Sequence, residues 1–331
     1  MSDIELRGLT PADLPALDRL LREVEAVDRT DEHYNLADLR EEAEDPLVDL
    51  GRDWVGAFDA GEDHRLVGSF RVTPRAPGET ALTAYATGCT HPERRGEGIG
   101  TRLAEAMLDR LRERHHAAPT LPAHLHVMGL TSDEAQGGLL AGIGFAPHRY
   151  ALTLGVGPLG EQDLADPPTG LRIRAYDPEV DLDALRETHN VVFRDHPGSS
   201  PWTPEEWTQW VTGSRSFRPG LSVVAVDASD AIVGYVQTEE YDAVEEVTGR
   251  KEAWIARVGT VREHRGRGLA PLLLRHVLEA CRAAGFDRAS LEVDSENPSG
   301  ALGVYERAGF ELEQHWTTYR RDLEPLAPAP A

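Results

Sequence analysis

Apolar positions along the chain alternate between strand-like and helix-like spacing, and the whole order of elements occurs twice. In the first half, strand-like runs cover residues 4–9, 53–58, 66–72, 81–90, 124–128 and 145–154. Helical spacing covers residues 11–24 and 99–114, and a shorter helix ends near 144. Hairpin-like strands come before the first strand-to-helix turn, so the pattern predicts a mixed α/β sheet and not a series of βαβ units.

The second half repeats this order. Its strand-like runs are 171–176, 221–226, 232–236, 253–261 and 290–293, with further strands after 310. Its predicted helices are 182–193, one that starts at 203, 269–284 and 299–308. We therefore expect an N-terminal domain at 1–156, a linker at 157–170, a C-terminal domain at 171–324 and a disordered Pro/Ala-rich tail at 325–331.

Composition narrows the possible functions. A length of 331 residues, 40% of them hydrophobic, suits two domains with real cores. The net charge of −23 disfavours a nucleic-acid partner, because phosphates require basic surfaces, and it is compatible with a cationic substrate such as an amine. We expect no membrane span and no signal peptide. Cys89 and Cys281 lie in separate halves without a metal or disulfide pattern, which favours a reducing cytoplasm.

A glycine-rich turn is duplicated between the halves. Arg95-Gly96-Glu97-Gly98-Ile99-Gly100 and Arg265-Gly266-Arg267-Gly268-Leu269-Ala270 are 170 residues apart, and each stands between a strand-like run and a helix. Such a turn leaves free N–H groups at the positive end of the helix, which suits a phosphate. A tight turn without a ligand is the alternative. A dinucleotide fold is disfavoured, because its glycine spacing and early position in the chain differ.

These turns resemble the pyrophosphate loop Q/R-x-x-G-x-G/A of the GNAT superfamily of acyl-CoA-dependent N-acyltransferases. Arg95, Gly98 and Gly100 fit that pattern, as do Arg265, Gly268 and Ala270. The second half also has Asn297, Ala301, Tyr305 and Gly309-Phe310 in the order typical of the family. The resemblance covers nearly the whole chain. It implies two tandem GNAT-like α/β domains, each a mixed, mostly antiparallel twisted sheet flanked by helices.

The resemblance also implies acetyl-CoA as cosubstrate, no metal, and direct transfer of the acetyl group to a primary amine in a ternary complex. It assigns a set of residues to the cofactor, and these are Val258, Thr260, Arg265, Gly266, Arg267, Gly268, Leu269, Ala270 and Asn297, with Arg95, Gly96, Gly98 and Gly100 in the first half. Tyr305 would protonate the leaving thiolate. Asn297 could instead only cap a helix, and Tyr305 could instead be a core residue.

The two halves are unequal. Counting back from Gly144-Phe145 and Gly309-Phe310 places Leu140 where the second half has Tyr305, and a leucine cannot donate a proton. We therefore expect the C-terminal domain to be catalytic and the N-terminal domain to be degenerate, with a vestigial, regulatory or scaffolding role.

The base and the acceptor site are less specified by the sequence. Glu252, at the start of the strand before the second loop, is the predicted catalytic base. Glu239, Glu240 and Asp294 are the alternatives, and any of the four could act through water. Trp202, Tyr241 and Trp254 are predicted to contact the acceptor, with core packing as the alternative. We expect a small-molecule amine as partner, no nucleic acid, no membrane, and a monomer or homodimer. The rival hypotheses are a protein or peptide N-acetyltransferase and a non-catalytic acyl-CoA sensor.

Overall fold

Each half of the chain has six strands, and two six-stranded sheets with the same strand order result when the halves exchange their last strands. The computed structural model describes residues 4–61, 64–74, 81–194, 201–295 and 300–326. The chain divides into two compact units. Unit 1 combines the described residues up to Ala151 with those from His315 onward, and unit 2 is Leu152–Gln314.

The strands of the first half follow the predicted order, and two short helices that the spacing did not indicate come before its second strand. Its strands are β1 (Ile4–Gly8), β2 (Trp54–Asp59), β3 (Leu66–Pro74), β4 (Leu82–Thr90), β5 (Ala123–Leu130) and β6 (Ala146–Val156). Its helices are α1 (Leu14–Asp28), α2 (Leu36–Ala43), α3 (Leu50–Asp53), α4 (Ile99–Ala117) and α5 (Glu134–Gly142).

The second half differs in the position of its helices, because one of them lies between its third and fourth strands. Its strands are β7 (Arg172–Ala175), β8 (Val223–Val226), β9 (Ile232–Glu239), β10 (Glu252–Thr260), β11 (Arg288–Asp294) and β12 (Glu311–Leu323). Its helices are α6 (Pro178–Val192), α7 (Pro204–Trp207), α8 (Asp242–Thr248), α9 (Leu269–Ala283) and α10 (Ala301–Arg307). A π-helical segment, Thr208–Thr212, continues α7. The sequence pattern did not indicate α8, which is two turns long and mostly exposed.

The last strand of each half belongs to the other unit for part of its length. Unit 1 has the strand order β1-β2-β3-β4-β5-β12, and unit 2 has the order β7-β8-β9-β10-β11-β6. Residues 316–323 of β12 pair antiparallel with β5, while Leu154 of β6 is buried in the core of unit 2. The units therefore differ from the sequential boundaries 1–156 and 171–324, because the pairing partner of a strand is not encoded in its own alternation. Of the predicted tail, residues 327–331 lie outside the described part of the chain.

Each sheet is covered by helices on both faces. In unit 1, α4 packs through Leu103, Met107 and Leu111 on one face, and α1 packs through Leu17 and Leu20 on the other. In unit 2, α9 covers one face, and α6 and α7 cover the other. Because the apolar stripes of α4 and α9 pack on the sheets, the loops that precede these helices lie at the ends of strands β4 and β10.

A buried cluster of charged side chains joins α3 to α4, and it leads to a prediction about stability. The fully buried carboxylate of Asp53 accepts from Arg110 Nε at 2.7 Å and from Arg114 at 3.2 Å. Asp53→Ala is expected to lower the free energy of unfolding by about 3–5 kcal/mol, since it removes the buried carboxylate that pairs with both arginines. The control Asp109→Ala removes only an exposed pair with Arg112 and should cost less than about 1 kcal/mol. Urea unfolding measures both, and equal losses would contradict the prediction.

Candidate active site

Both glycine turns have the same backbone conformation, which side chains other than glycine adopt with strain. Gly96 and Gly98 have φ of 80° and 81°, and Gly266 and Gly268 have φ of 71° and 76°. A Cβ added at any of these four positions would meet no atom within 4 Å. Glycine is thus required by the backbone and not by crowding, and the open space above each turn can admit a ligand next to the N-terminus of α4 or α9.

The arginine that begins each turn donates a hydrogen bond to the strand that precedes the turn. Arg265 donates from Nε to the carbonyl oxygen of Thr260 at 2.9 Å and reaches the carbonyl of Val192 at the end of α6. Arg95 makes the same bond to Thr90 at 3.3 Å, but the rest of its guanidinium is held by both oxygens of Asp28. Both side chains therefore fix the turn to the preceding strand.

The charge of the two turns differs. In unit 1, Arg94 is bound by Asp59 and by Glu97, a residue of the turn itself. The position of Glu97 is occupied by Arg267 in unit 2, where His264 lies 3.5 Å from it. The hydrogen bond from Arg94 lowers the pKa of Glu97, so this carboxylate is ionised at neutral pH. An anion would meet a carboxylate at the first turn and a guanidinium at the second.

Next to each turn, two parallel strands separate. Among the described residues, β10 pairs with β11 only at Glu252–Trp254 against Arg288–Ser290, and residues 255–260 have a strand partner on the β9 side alone. A bulge at Ala256 accompanies the separation. The hydroxyl oxygen of Thr260 is buried there without a hydrogen-bond partner among the described residues. Open backbone groups and an orphaned hydroxyl suit an extended amide-bearing chain laid between the strands.

The same opening in unit 1 is shorter. β4 pairs with β5 through Ala86, and only residues 87–90 continue without that partner. The pairing of β3 with β4 has no bulge. Unit 1 therefore offers fewer free backbone groups beside its turn than unit 2.

Tyr305 lies on α10 with its ring mostly buried, edge-on to Phe310 at 6.1 Å between centroids. Burial raises its pKa to about 12, so the phenol remains protonated across the neutral range. The amide of Phe310 donates to the carbonyl of Tyr305 at 3.1 Å, and in unit 1 Phe145 donates to Leu140 at 3.0 Å. Leu140 and Tyr305 thus occupy the same place in the same turn. Asn297 lies outside the described residues.

The predicted base Glu252 lies far from the second glycine turn, residues 265–270. It accepts from Ser290 Oγ and pairs with Arg288 at 3.2 Å, at the opposite end of β10 from Thr260. Thr260 follows Glu252 by eight positions along β10, a distance of about 26 Å. The sequence could not reveal this, because the partner Arg288 comes from the neighbouring strand.

The predicted acceptor residues collect on the α6/α7 face of unit 2. Trp254 is directly opposite Glu239 in the sheet, and the hydroxyl of Tyr241 donates to Glu239 at 2.7 Å. Trp202 packs edge-on against Trp207 with ring centroids 6.2 Å apart. Tyr241 is 37% exposed, so this part of the face is reachable from solvent.

Further polar groups on this face were not singled out from the sequence. Arg257 donates to Glu239 at 3.0 Å. His189 and the hydroxyl of Tyr235 lie 2.6 Å apart, both buried. Burial, with a contribution from Arg257, lowers the pKa of His189 to about 3, so its imidazole is neutral at physiological pH. His189 is at helical spacing with apolar residues of α6, and nothing in the sequence distinguishes it from a core histidine.

One group of side chains outside these sites could supply three metal ligands. It consists of Glu25, Asp31 and His33 in unit 1. The Glu25 carboxylate already accepts hydrogen bonds from the backbone amides of Thr30 and Asp31, so these side chains lie together because they end helix α1.

Within the described residues, no helix is both long and apolar enough to cross a membrane.

Comparison with known proteins gives two family matches, one in each half. Residues 182–310 match the model described as the acetyltransferase (GNAT) family, and residues 5–126 match the model described as the acetyltransferase (GNAT) domain. A mycothiol acetyltransferase of Parafrankia sp. (strain EAN1pec) is 28% identical over 96% of this chain and 97% of its own length. A mycothiol acetyltransferase of Thermobispora bispora is 30% identical over 70% of this chain and 74% of its own.

Solved structures agree with these matches. A GCN5-related N-acetyltransferase from Sphaerobacter thermophilus superposes with a TM-score of 0.78 at 26% identity, covering 98% of each chain. A tandem GNAT protein from the clavulanic acid biosynthesis pathway has the same fold, with a TM-score of 0.71 at 18% identity over 99% of this chain and 100% of its own. The duplicated turns, the two separated strand pairs and these matches lead to one conclusion: the chain is an acyltransferase that belongs to the GNAT family of acetyltransferases.

Proposed function

We propose that the protein transfers the acetyl group of acetyl-CoA to a primary amine of a small molecule, and that unit 2 performs the reaction. The observation that carries this is the combination of an open, cationic glycine turn, a six-residue strand opening and Tyr305, which occurs in unit 2 alone among the described residues. Unit 1 has the turn but carries Glu97, a shorter opening and Leu140 in their places.

The residues of unit 2 fit acetyl-CoA in order along the opening. The amides at Gly266 to Ala270 and the dipole of α9 would hold the pyrophosphate. The free edge of Val258 to Thr260 would bond the pantetheine arm, and an amide of this edge would polarise the thioester carbonyl. The role of Asn297 beside this arm remains part of the proposal.

The reaction would proceed by direct attack in the ternary complex. The neutral amine forms the C–N bond, the C–S bond breaks, and Tyr305 donates its proton to the leaving sulfur. The amine loses one proton to solvent or to a nearby base. Burial raises the pKa of Cys281 to about 12 and also raises that of Cys89, which supports direct transfer over a cysteine intermediate. Glu252 takes no part in this mechanism, because its carboxylate is held by Arg288 and Ser290.

A second candidate acceptor is the unacetylated precursor of mycothiol. Relatives described as mycothiol acetyltransferases match between 70% and 96% of this chain. The test is an acetyl-CoA turnover assay with a panel of small amines that includes this precursor, read by release of free CoA and by mass spectrometry. Binding of CoA without transfer to any amine would favour the sensor hypothesis instead.

The charge of the second turn makes a separate prediction. Arg267→Glu gives unit 2 the charge that unit 1 has at this position, and it is expected to raise the Kd for CoA about tenfold at low salt. The effect should shrink as salt rises, because exposed charges are screened. Isothermal titration at two ionic strengths measures it. Arg275→Glu, the same charge change farther along α9, is the control, and an equal loss there would contradict a role for the turn.

A further inference from the structure

Gln237 on β9 has a buried amide side chain that forms no hydrogen bond with the described residues. The residue is 1% exposed, and neither its amide nitrogen nor its amide oxygen has a hydrogen-bond partner within the described parts of the chain. Leaving an amide buried and unpaired is costly in folding free energy. An amide buried at that cost calls for an explanation, and binding to a ligand group would be one.

Gln237 lies on the acceptor face of unit 2. Side chains alternate along a strand, so Tyr235, Gln237 and Glu239 share one face of β9. Tyr235 packs in the cluster with α6 and α7, while Val236 belongs to the core on the α9 side. Arg257 is directly opposite Gln237 on β10. The orphaned amide thus stands among the groups that surround the proposed acceptor.

Unit 1 provides an internal comparison for this position. Gly68 pairs with Thr90 and Gly234 pairs with Thr260, so the residues three positions after each glycine are equivalent. In unit 1 this residue is Arg71, which is 4% exposed.

Arg71 is fully paired within its own unit. It donates to Glu42 of α2 at 2.7 Å, and its guanidinium lies 4.6 Å from the ring centroid of Tyr34. At this position unit 1 therefore has an ion pair, and unit 2 has a neutral amide without a partner among the described residues.

We propose that the Gln237 amide recognises a polar group of the acceptor, and that the acceptor is an amine that also carries a hydroxyl or carboxamide. This rests on the proposed function. An amide offers two donors and one acceptor, and hydroxyls and carboxamides match both roles. The neighbouring Glu239–Arg257 pair is internally neutralised, so the site favours an uncharged polar group over a second ionic one.

The test compares acceptors in pairs and follows stability in parallel. Ethanolamine, 3-aminopropanol and glycinamide are assayed against propylamine and butylamine. The wild-type protein should favour the polar amines about 10- to 100-fold in kcat/KM, and Gln237→Leu should bring the ratio close to one. Without any ligand, Gln237→Leu should raise Tm by about 2–4 °C, because it removes an unpaired buried amide. Gln237→Met, which changes the shape less, guards against a packing defect.

Arg71→Met in unit 1 is the matched control, since it removes a satisfied group at the equivalent position. It should lower Tm and leave the ratio of polar to apolar amines unchanged. A fall in Tm for both Gln237 variants, or an unchanged ratio in them, overturns the inference while the proposed function stands. Absence of turnover with every amine counts against the proposed function, and the Tm measurement then decides on Gln237 by itself.

Discussion

Replacing Tyr305 by phenylalanine is expected to lower kcat by at least about a hundredfold while the Kd for CoA stays within about twofold. The ring keeps its edge-on contact with Phe310 in this variant, so the fold around α10 should persist. What is lost is the only phenol proton that the proposed mechanism supplies to the departing thiolate.

Stopped-flow or steady-state release of CoA measures the first quantity, and titration calorimetry measures the second. Burial raises the pKa of Tyr305 to about 12, so its proton remains available throughout the neutral and mildly alkaline range. Loss of activity between pH 8 and 10 must then come from another group. Tyr319 in unit 1, also a partly buried phenol, gives the control Tyr319→Phe, which should leave kcat unchanged. Normal turnover in the Tyr305 variant would refute the acid assignment.

Gly268→Val is expected to raise the KM for acetyl-CoA at least about tenfold, while Gly98→Val should leave it nearly unchanged. Both glycines precede a helix in the left-handed region, at φ of 76° and 81°, and both have open space around them. A β-branched residue costs about 1–2 kcal/mol of backbone strain at either position. Only at Gly268 would it also obstruct a bound pyrophosphate.

The two variants are therefore matched in strain and differ in the unit they affect. Initial rates over a range of acetyl-CoA concentrations give the KM values, and thermal unfolding shows whether the strain is equal. If Gly98→Val impairs turnover as much as Gly268→Val, both units bind the cofactor for catalysis, and the proposed division of roles fails.

The sequence predicted those parts of the site in which a particular residue type is required at a fixed spacing. The glycine turns could be located because a left-handed backbone before a helix excludes most side chains, and the difference between Tyr305 and Leu140 followed from counting. The GNAT family and the mixed sheet, expected on these grounds, are confirmed by the matches in both halves.

The remaining features depend on which strands become neighbours. The partner of Glu252 is Arg288, a residue that alternation along β10 cannot reveal. Gln237 continues the apolar run of β9 and becomes notable only when α6 and α7 close over its face without giving it a partner. The same limit applies to β12, whose pattern would suit an edge of either sheet.

The exchanged strands have a consequence for biogenesis. The sheet of unit 1 lacks its last strand until residues 316–323 have left the ribosome, whereas the sheet of unit 2 already has its share of β6 by then. Synthesis therefore produces an N-terminal unit whose β5 edge stays unpaired until residues 316–323 of the same chain pair with it. A protein cut at its linker, residues 157–170, would yield two fragments that each lack part of a sheet. Two domains that look separable in the sequence are thus obliged to mature as one molecule.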